Sequence, residues 1–356
     1  MKTVLVIGDL HIDDKWTIDT DETLEFISNI AFEHKVSDIV LLGDIYHRRD
    51  VLKDSTEERR FYKFLQSLSA DSRNIYILVG NHDIAEGNRV LINELASSIV
   101  LPNIHIISNY TKMDRDKVGF PYDIYFMPWC GGHRNTLKQY FEGYLDILSK
   151  CPNPFVVFGH IPFAEAFLDK PSKISKNLPS IESLEVIPKY KFGIFGDIHT
   201  KQNIGKRSSY IGAIRNINFS DSGEKYVCLL HVNDDDVTAE DILLPSRNTQ
   251  ILELEYDDFI KFNKTKIKKF SNAMLQLRIK CKKDQYVDND IINKRWLPII
   301  HMLEYRCFYE SKINFNNLDI TDDIAMFNKY CDTLNKVVSD DIIERIKSVG
   351  KQIIEG

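Results

Sequence analysis

The sequence predicts a layered α/β fold, with buried strands alternating with amphipathic helices and polar side chains gathered along one edge of the sheet. Three observations predict it. Five short apolar runs each lead into a glycine, the residues just past each glycine are Asp, Asn or His, and helix-like periodicity fills the stretches between the early runs. The runs are VLVI (4–7), IVLL (39–42), IYILV (75–79), FVVF (155–158) and FGIF (192–195). They are rich in Val, Ile and Phe and do not alternate, the pattern of strands covered on both faces.

The first run passes into Gly8-Asp9-Leu10-His11. Residues 21–34 (DETLEFISNIAFEH) then place Leu24, Ile27, Ile30 and Ala31 on one helical face, with acids in the first turn. The second run ends in Gly43-Asp44, and residues 55–68 form the next helix. There Ser55 and Glu58 have capping-box spacing ahead of Phe61, Phe64, Leu65 and Leu68. The third run enters Gly80-Asn81-His82-Asp83, and residues 135–148 supply a further helix. The fourth enters Gly159-His160, and the fifth Gly196-Asp197-Ile198-His199. Glycine lets the backbone turn sharply and pass close to whatever sits at the edge. Polar groups just past buried strand ends collect where layered α/β sheets bind ligands. Five independent turns built this way point to a site rather than to ordinary turn composition.

Residues 210–232, including KYVCLLHV, are more strand-like, and Asp234-Asp235-Asp236 forms a turn before DILLP. Composition shifts near Pro245. Lys261, Lys264, Lys266, Lys268, Lys269, Arg278, Lys280, Lys282 and Lys283 crowd one segment with almost no acids among them. Inside it, MLQLRIKC alternates apolar Leu275, Leu277, Ile279 and Cys281 with Gln276, Arg278 and Lys280, a half-buried strand with a basic outer face. From Asp322 onward two amphipathic helices are expected. Ile324, Phe327, Cys331 and Leu334 stripe the first, Ile342, Ile343, Ile346, Val349 and Ile353 stripe the second, and Ser339 caps between them. The expected domains are residues 1–245, a basic capping domain at 246–318 and terminal helices at 319–356.

Bulk properties bound the function. The 356 residues, 43% hydrophobic, suffice for one large domain and one or two small ones. A net charge of −6 argues against wholesale nucleic-acid coating but leaves room for a local basic surface. Six cysteines without a CxxC pair indicate reduced thiols rather than a zinc finger or disulfide framework. The N-terminal apolar run is too short for a signal peptide, and no run reaches membrane-spanning length. A soluble cytoplasmic protein, without membrane contact, is expected. The sequence contains no GxxxxGK[ST] loop, so any ATP dependence comes from a partner.

Asp9, His11, Asp44, Asn81, His160, Asp197 and His199 are the candidate metal ligands. A mixed oxygen and nitrogen set without thiolates suits Mn²⁺, Mg²⁺, Fe²⁺ or Zn²⁺. Seven ligands exceed what one tetrahedral ion takes and match two ions sharing a carboxylate. Ion pairs of this kind, roughly 3.5–4 Å apart, activate a water and stabilise in-line displacement at phosphorus. His82 is the candidate acid for the leaving oxygen.

The ordered set DxH, GD, GNHD, GH and G-x-x-H resembles the calcineurin-like metallophosphoesterases over roughly the first two thirds of the chain. The resemblance implies a four-layer α/β/β/α sandwich with a small α+β capping domain and C-terminal helices. It also implies that Asp9, His11 and His199 hold one metal, Asn81, His160 and Asp197 the other, that Asp44 bridges them and that His82 protonates the leaving group. One position departs from the family pattern: the last motif usually reads GHxH, and here Asp197 stands in the first His place. Asp is a harder, charged donor, which shifts the expected metal toward Mn²⁺, with Mg²⁺ as the alternative.

Within the superfamily, Gly43-Asp44-Ile45-Tyr46-His47, Met127-Pro128-Trp129 and YIGAIRNINFSD resemble segments of SbcD-type nucleases, specifically their bacteriophage recombination-endonuclease branch. That implies a nuclease subunit processing DNA ends in recombination and double-strand-break repair. It further implies Mn²⁺, an SMC-like coiled-coil ATPase docked on the C-terminal helices, and a homodimer formed through the nuclease domain. By the same resemblance His47 helps position DNA or leaving group; a local hydrogen bond at a helix start is the competing role. Arg48 and Arg49 are either phosphate contacts or a solvated basic pair. The alternatives are a small-substrate phosphoesterase, acting on cyclic nucleotides, dinucleoside polyphosphates or phosphoproteins, and a non-catalytic DNA-binding scaffold. His34, His105, His133, His231 and His301 do not follow the strand-glycine pattern and receive no role.

Overall fold

A computed structural model describes residues 2–15, 17–69, 73–85, 90–92, 103–130, 134–166, 178–219, 221, 223–233, 236–282, 285–300, 302–309 and 347. The terminal helices expected within 319–356, together with His133, His301 and Lys283, lie outside these residues, apart from Lys347. The chain divides into two compact units. One comprises Met1–Leu252, Lys261–Leu277 and Asp288–Tyr305; the other comprises Glu253–Ile260, Arg278–Val287 and Arg306–Gly356.

The apolar runs are strands, as expected. In the first unit, β1 (Lys2–Ile7), β2 (Asp38–Leu41), β3 (Asn74–Leu78) and β4 (Ile104–Ile107) are parallel neighbours. β5 is Thr111–Met113, β6 Asp123–Met127, β7 Phe155–His160, β8 Tyr190–Gly196, β9 Gln202–Asn203, β10 Ser208–Tyr210, β11 Tyr226–Val232 and β12 Val237–Leu243. Two six-stranded sheets result, ordered β12-β11-β1-β2-β3-β4 and β5-β6-β7-β8-β10-β9. β6, β7 and β8 run parallel within the second sheet.

Because strand side chains alternate between faces, each central strand feeds two cores. Val4, Val6, Val40 and Leu78 of the first sheet meet Phe126, Val156, Phe158 and Ile194 of the second in one apolar layer. Leu5, Ile7, Ile39, Leu41 and Ile77, on the opposite face of the first sheet, pack with side chains of helices α1 (Thr17–Glu33) and α2 (Thr56–Leu68). Tyr125, Phe155 and Val157 pack with Phe141 and Leu148 of α3 (Arg134–Ser149). This is the α/β/β/α layering expected. Each fully buried Leu, Ile or Phe contributes about 1.5–3 kcal/mol, and that apolar layer holds the polar strand ends where burial alone would oppose them.

Local differences have physical causes. α1 begins at Thr17, four residues before the acids that marked its start, and Thr23 Oγ1 donates to the Asp19 carbonyl in its second turn (2.8 Å). Ser55 caps α2 by accepting from the Glu58 N–H (3.2 Å), whereas the Glu58 carboxylate takes the N–H of Asp54 rather than that of Ser55. Three further strands, β13 (Asn248–Glu255), β14 (Ala273–Cys281) and β15 (Met302–Tyr309), form a separate sheet in that order. Leu275, Leu277, Ile279 and Cys281 of β14 are buried as the alternation predicts, but so is Gln276, whose amide donates to Glu304 (3.1 Å). Among the described residues, no helix is long and apolar enough to cross a membrane.

Candidate active site

The carboxyl ends of parallel strands set the site. Asp9 and His11 follow β1, Asp44 and His47 follow β2, Asn81 and His82 follow β3, His160 ends β7, and Asp197 and His199 follow β8. Pairing continues past the glycines: the N–H groups of Leu10 and His11 both donate to the Asp44 carbonyl (3.1 and 2.9 Å), and Ile12 N–H donates to Ile45 O (2.9 Å). Three of the candidate ligands have left-handed backbones, His11 (φ +44°), Asp44 (φ +48°) and Asp197 (φ +89°). Such conformations cost of order 1–3 kcal/mol each for a residue with a side chain and persist where surrounding structure enforces them.

The glycines make room. Gly43 has φ +111°, and a Cβ there would stand 2.6 Å from His160 Nδ1. At Gly196 a Cβ would stand 2.6 Å from Asp9 Oδ1. Any side chain at these positions would displace a candidate ligand.

His160 lies at the centre of one half of the site. Its Nδ1–H donates to the Leu42 carbonyl (2.8 Å). Its Nε2 faces Asp44 Oδ1 (3.4 Å), Asp197 Oδ1 (3.7 Å) and the Asn81 amide (3.0 Å). With its NH₂ turned toward the carboxylates, Asn81 donates to Asp197 Oδ1 (3.1 Å) and Asp44 Oδ2 (3.3 Å). Ligand atoms of Asp9, His11 and His199 cluster within 4.8 Å of one another in the other half, and those of His11, Asp44 and His82 do the same. All seven expected ligands are therefore brought together, and Asp44 touches both halves.

Electrostatics mark this as a place for cations. Burial and then the Asp44 and Asp9 carboxylates push Asp197 up to about 7, against the pull of His160. Asp9 is raised as well, chiefly by burial. Burial opposes a charge on His160, yet the carboxylates of Asp44, Asp9 and Asp197 outweigh it and raise the imidazole to about 9. Burial, followed by the neighbouring imidazoles of His199, His82 and His47, holds His11 well below the usual histidine range. Both ring nitrogens of His11 are buried without a hydrogen-bond partner. A neutral imidazole with orphaned nitrogens beside crowded carboxylates fits divalent cations, whose charge would favour the ionised acids and which would accept the lone pair of the ring nitrogen that carries no hydrogen.

His82 is oriented for proton transfer. Its Nδ1 lies 2.6 Å from the His47 carbonyl, which can only accept, so Nδ1 carries a hydrogen and Nε2 is left for the site. The His82 backbone N–H donates to Asp44 Oδ1 (2.8 Å). His47 thus meets the site through its carbonyl and through its ring, whose centroid lies 5.5 Å from that of His11 and 6.0 Å from that of His82. Its ring Nδ1 is buried without a hydrogen-bond partner, and its own N–H donates to Ile12 O (3.0 Å). Arg48 is exposed and pairs with Glu57 (2.6 Å). Arg49 is exposed. Of the histidines given no role, His105 stacks on Tyr76 (5.0 Å) and His231 faces Glu240 (3.4 Å).

Several supporting residues were not singled out by sequence reasoning. Asp83 is fully buried and takes the N–H groups of Gly80 (2.8 Å) and Ile45 (2.9 Å), tying the β3 and β2 loops together. Asp221 Oδ2 stands 3.5 Å from His199 Nδ1 and accepts the Ile217 N–H (2.8 Å). Arg215, buried completely, donates to the His11 carbonyl (2.7 Å) and meets Asp13 (3.3 Å). Asp221 and Arg215 both lie in or beside YIGAIRNINFSD, a segment noticed for resemblance but not for chemistry; Asp83 completes GNHD.

A family model described as calcineurin-like phosphoesterase matches residues 2–201. Among solved structures, the chain is similar to a dimetal phosphatase from Danio rerio, at 11% identity over 67% of this chain and 95% of that one, with a TM-score of 0.44. It is similar to a protein of Thermus thermophilus at 12% identity, over 67% of this chain and 98% of that one, with a TM-score of 0.41. An archaeal phosphodiesterase matches at 12% identity, over 67% and 99%, with a TM-score of 0.35. No curated protein matches the chain.

Proposed function

Because the chain belongs to the calcineurin-like phosphoesterases, we propose that it is a two-metal phosphodiesterase acting on DNA ends, a nuclease of recombination and double-strand-break repair. The observation that carries the proposal is the convergence of Asp9, His11, Asp44, Asn81, His160, Asp197 and His199 from five strand ends, with His82 oriented beside them.

Asp9, His11 and His199 would hold one divalent ion, Asn81, His160 and Asp197 the other, and Asp44 both. Mn²⁺ suits the set best, with Mg²⁺ next, because Asp197 adds a hard, charged oxygen where a nitrogen would otherwise stand. Bound there, such ions supply a water nucleophile at neutral pH and neutralise charge on the phosphoryl oxygens. The chain's own residues do the rest. Asp83 and Arg215 keep the loops in register, Asp221 orients the His199 ring, and the His47 carbonyl fixes the His82 tautomer. As the imidazolium, His82 then donates its Nε2 proton to the leaving oxygen and is left as the neutral Nδ1–H ring that the His47 carbonyl holds.

Lys261, Lys264, Lys266, Lys268 and Lys269 are all exposed, which supports DNA as the substrate. The resemblance of GDIYH, MPW and YIGAIRNINFSD supports the end-processing role, a coiled-coil ATPase partner at residues 319–356 and a second copy of this chain as dimer mate, in a cytoplasmic setting. One observation favours a small-substrate phosphoesterase instead: Arg278 pairs with Glu253 (3.0 Å) and Lys280 with Glu255 (3.6 Å), so part of the basic segment is already neutralised.

End-labelled linear duplex DNA, incubated with the purified protein in Mn²⁺, Mg²⁺ or EDTA, tests the proposal. Metal-dependent shortening is expected, slowed by about 10²–10⁴-fold in His82→Ala. Intact DNA alongside metal-dependent hydrolysis of a small phosphodiester would favour the small-substrate reading.

A further inference from the structure

Trp129 follows β6 and has no part in the ligand set or the acid. Its backbone N–H donates to the Val79 carbonyl (2.8 Å), one residue before Gly80-Asn81-His82, which fixes it beside that loop. Its indole meets the His160 ring edge-on, with centroids 6.5 Å apart and planes at 84°. The residue is only half-buried and belongs to none of the core clusters formed by the described residues. A ring this large ordinarily ends in a core, where its area is worth most. Here the backbone holds it at the rim of a phosphoester-cleaving centre, in contact with a candidate ligand and not stacked upon it.

We infer that Trp129 is a specificity-determining residue whose indole face stacks on the nucleobase next to the scissile phosphate, so that the centre selects nucleotide esters over other phosphodiesters. The inference deepens the phosphodiesterase reading above and rests on it. Every base has a π face, so a stacking platform accepts any sequence while rejecting a bare sugar-phosphate. That is the selectivity end trimming requires. A ring serving only to wall in His160 would need bulk but no π system, and this separates the two roles.

The test compares wild type with Trp129→Ala, Trp129→Leu and Trp129→Phe on a labelled oligonucleotide and on the same strand with one abasic residue walked across the cut site. For Trp129→Ala, KM on the intact strand rises about tenfold, within the range that stacking of one base spans. Phe restores most of the loss and Leu does not. Wild type discriminates against the abasic strand at one position, and Trp129→Ala does not. In EDTA, intact oligonucleotide quenches indole emission more in wild type than in Trp129→Phe, and the difference isolates Trp129 from Trp16 and Trp296, which both proteins share. Equal KM values and equal abasic discrimination in wild type and Trp129→Ala, with DNA still cleaved, would overturn the platform and leave the nuclease reading standing. Wild type that hydrolyses a small diester but never cleaves DNA would overturn the nuclease reading and the platform with it.

Discussion

On the proposed ligand assignment, Asp197 would offer a charged oxygen where the family pattern has a His nitrogen. Burial first, then Asp44 and Asp9, push its carboxyl up to about 7, so its ionised form is disfavoured unless a cation compensates it. Its left-handed backbone (φ +89°) suits Asp, Asn or His better than other side chains, so Asp197→His is a substitution the turn can take. Calorimetric titration of that variant should show Mn²⁺ affinity falling by at least about tenfold, the loss that even outer partners of a metal site produce, while Zn²⁺ binding weakens less or strengthens. Without metal the variant should melt higher than wild type, because one buried carboxylate has been removed from beside Asp9 and Asp44. Unchanged preference between the two ions would mean that Asp197 is not a ligand. At this scale the seven candidate ligands and His82 stood out because each lies at a strand end or within four residues past one. Asp221 and Arg215 did not, because what they do is decided by partners such as His199 and His11, distant in sequence and brought close only by folding.

Elements were legible where a pattern is local. Non-alternating apolar runs became the central strands, and Ser55 became the cap of α2 through the Glu58 N–H. Cross-strand charge was not: the alternation of β14 predicts a basic outer face, but not that Glu253 and Glu255 on β13 would meet Arg278 and Lys280. Another junction invisible in the sequence ties the short helix Glu182–Glu185 to the start of β10. The Glu185 carboxylate accepts the N–H groups of Arg207 (2.7 Å) and Lys206 (3.0 Å) and the Ser208 hydroxyl (2.8 Å). Burial would raise this carboxyl, but those donors outweigh it and hold it below the usual glutamate value of 4.5. A depressed folded-state value means the contribution is complete above the unfolded value and lost as pH falls through the folded one. Glu185→Gln should therefore cost about 1 kcal/mol at neutral pH, a figure reduced for partial exposure. Its stability should also fall less steeply than that of wild type between roughly pH 5 and 3. Urea melts across that range check both; parallel curves would show that the Glu185 charge contributes nothing.

For the whole molecule, a net charge of −6 must be reconciled with a polyanionic substrate. At physiological ionic strength charges are screened beyond about 8 Å, so a local group of lysines can bind phosphates while the rest of the surface repels them only weakly. Lys261, Lys264, Lys266, Lys268 and Lys269 form such a group, in the same compact unit as the two large sheets. Among the described residues, none of the five is in a salt bridge. Arg278 and Lys280, in the second unit, are paired and have less to give. Duplex binding should therefore depend on salt with a slope set by the unpaired lysines. Replacing Lys264, Lys266 and Lys268 by Gln should reduce the slope of log affinity against log salt by about 0.9 for each lysine that meets a phosphate. Arg278→Gln should change it little. Fluorescence anisotropy in EDTA, across a salt series and with melting curves to verify folding, measures the slope without cleavage. A slope untouched by the triple change would show the lysines to be a solvated face, and would return the choice of substrate to the metal centre and the rim around it.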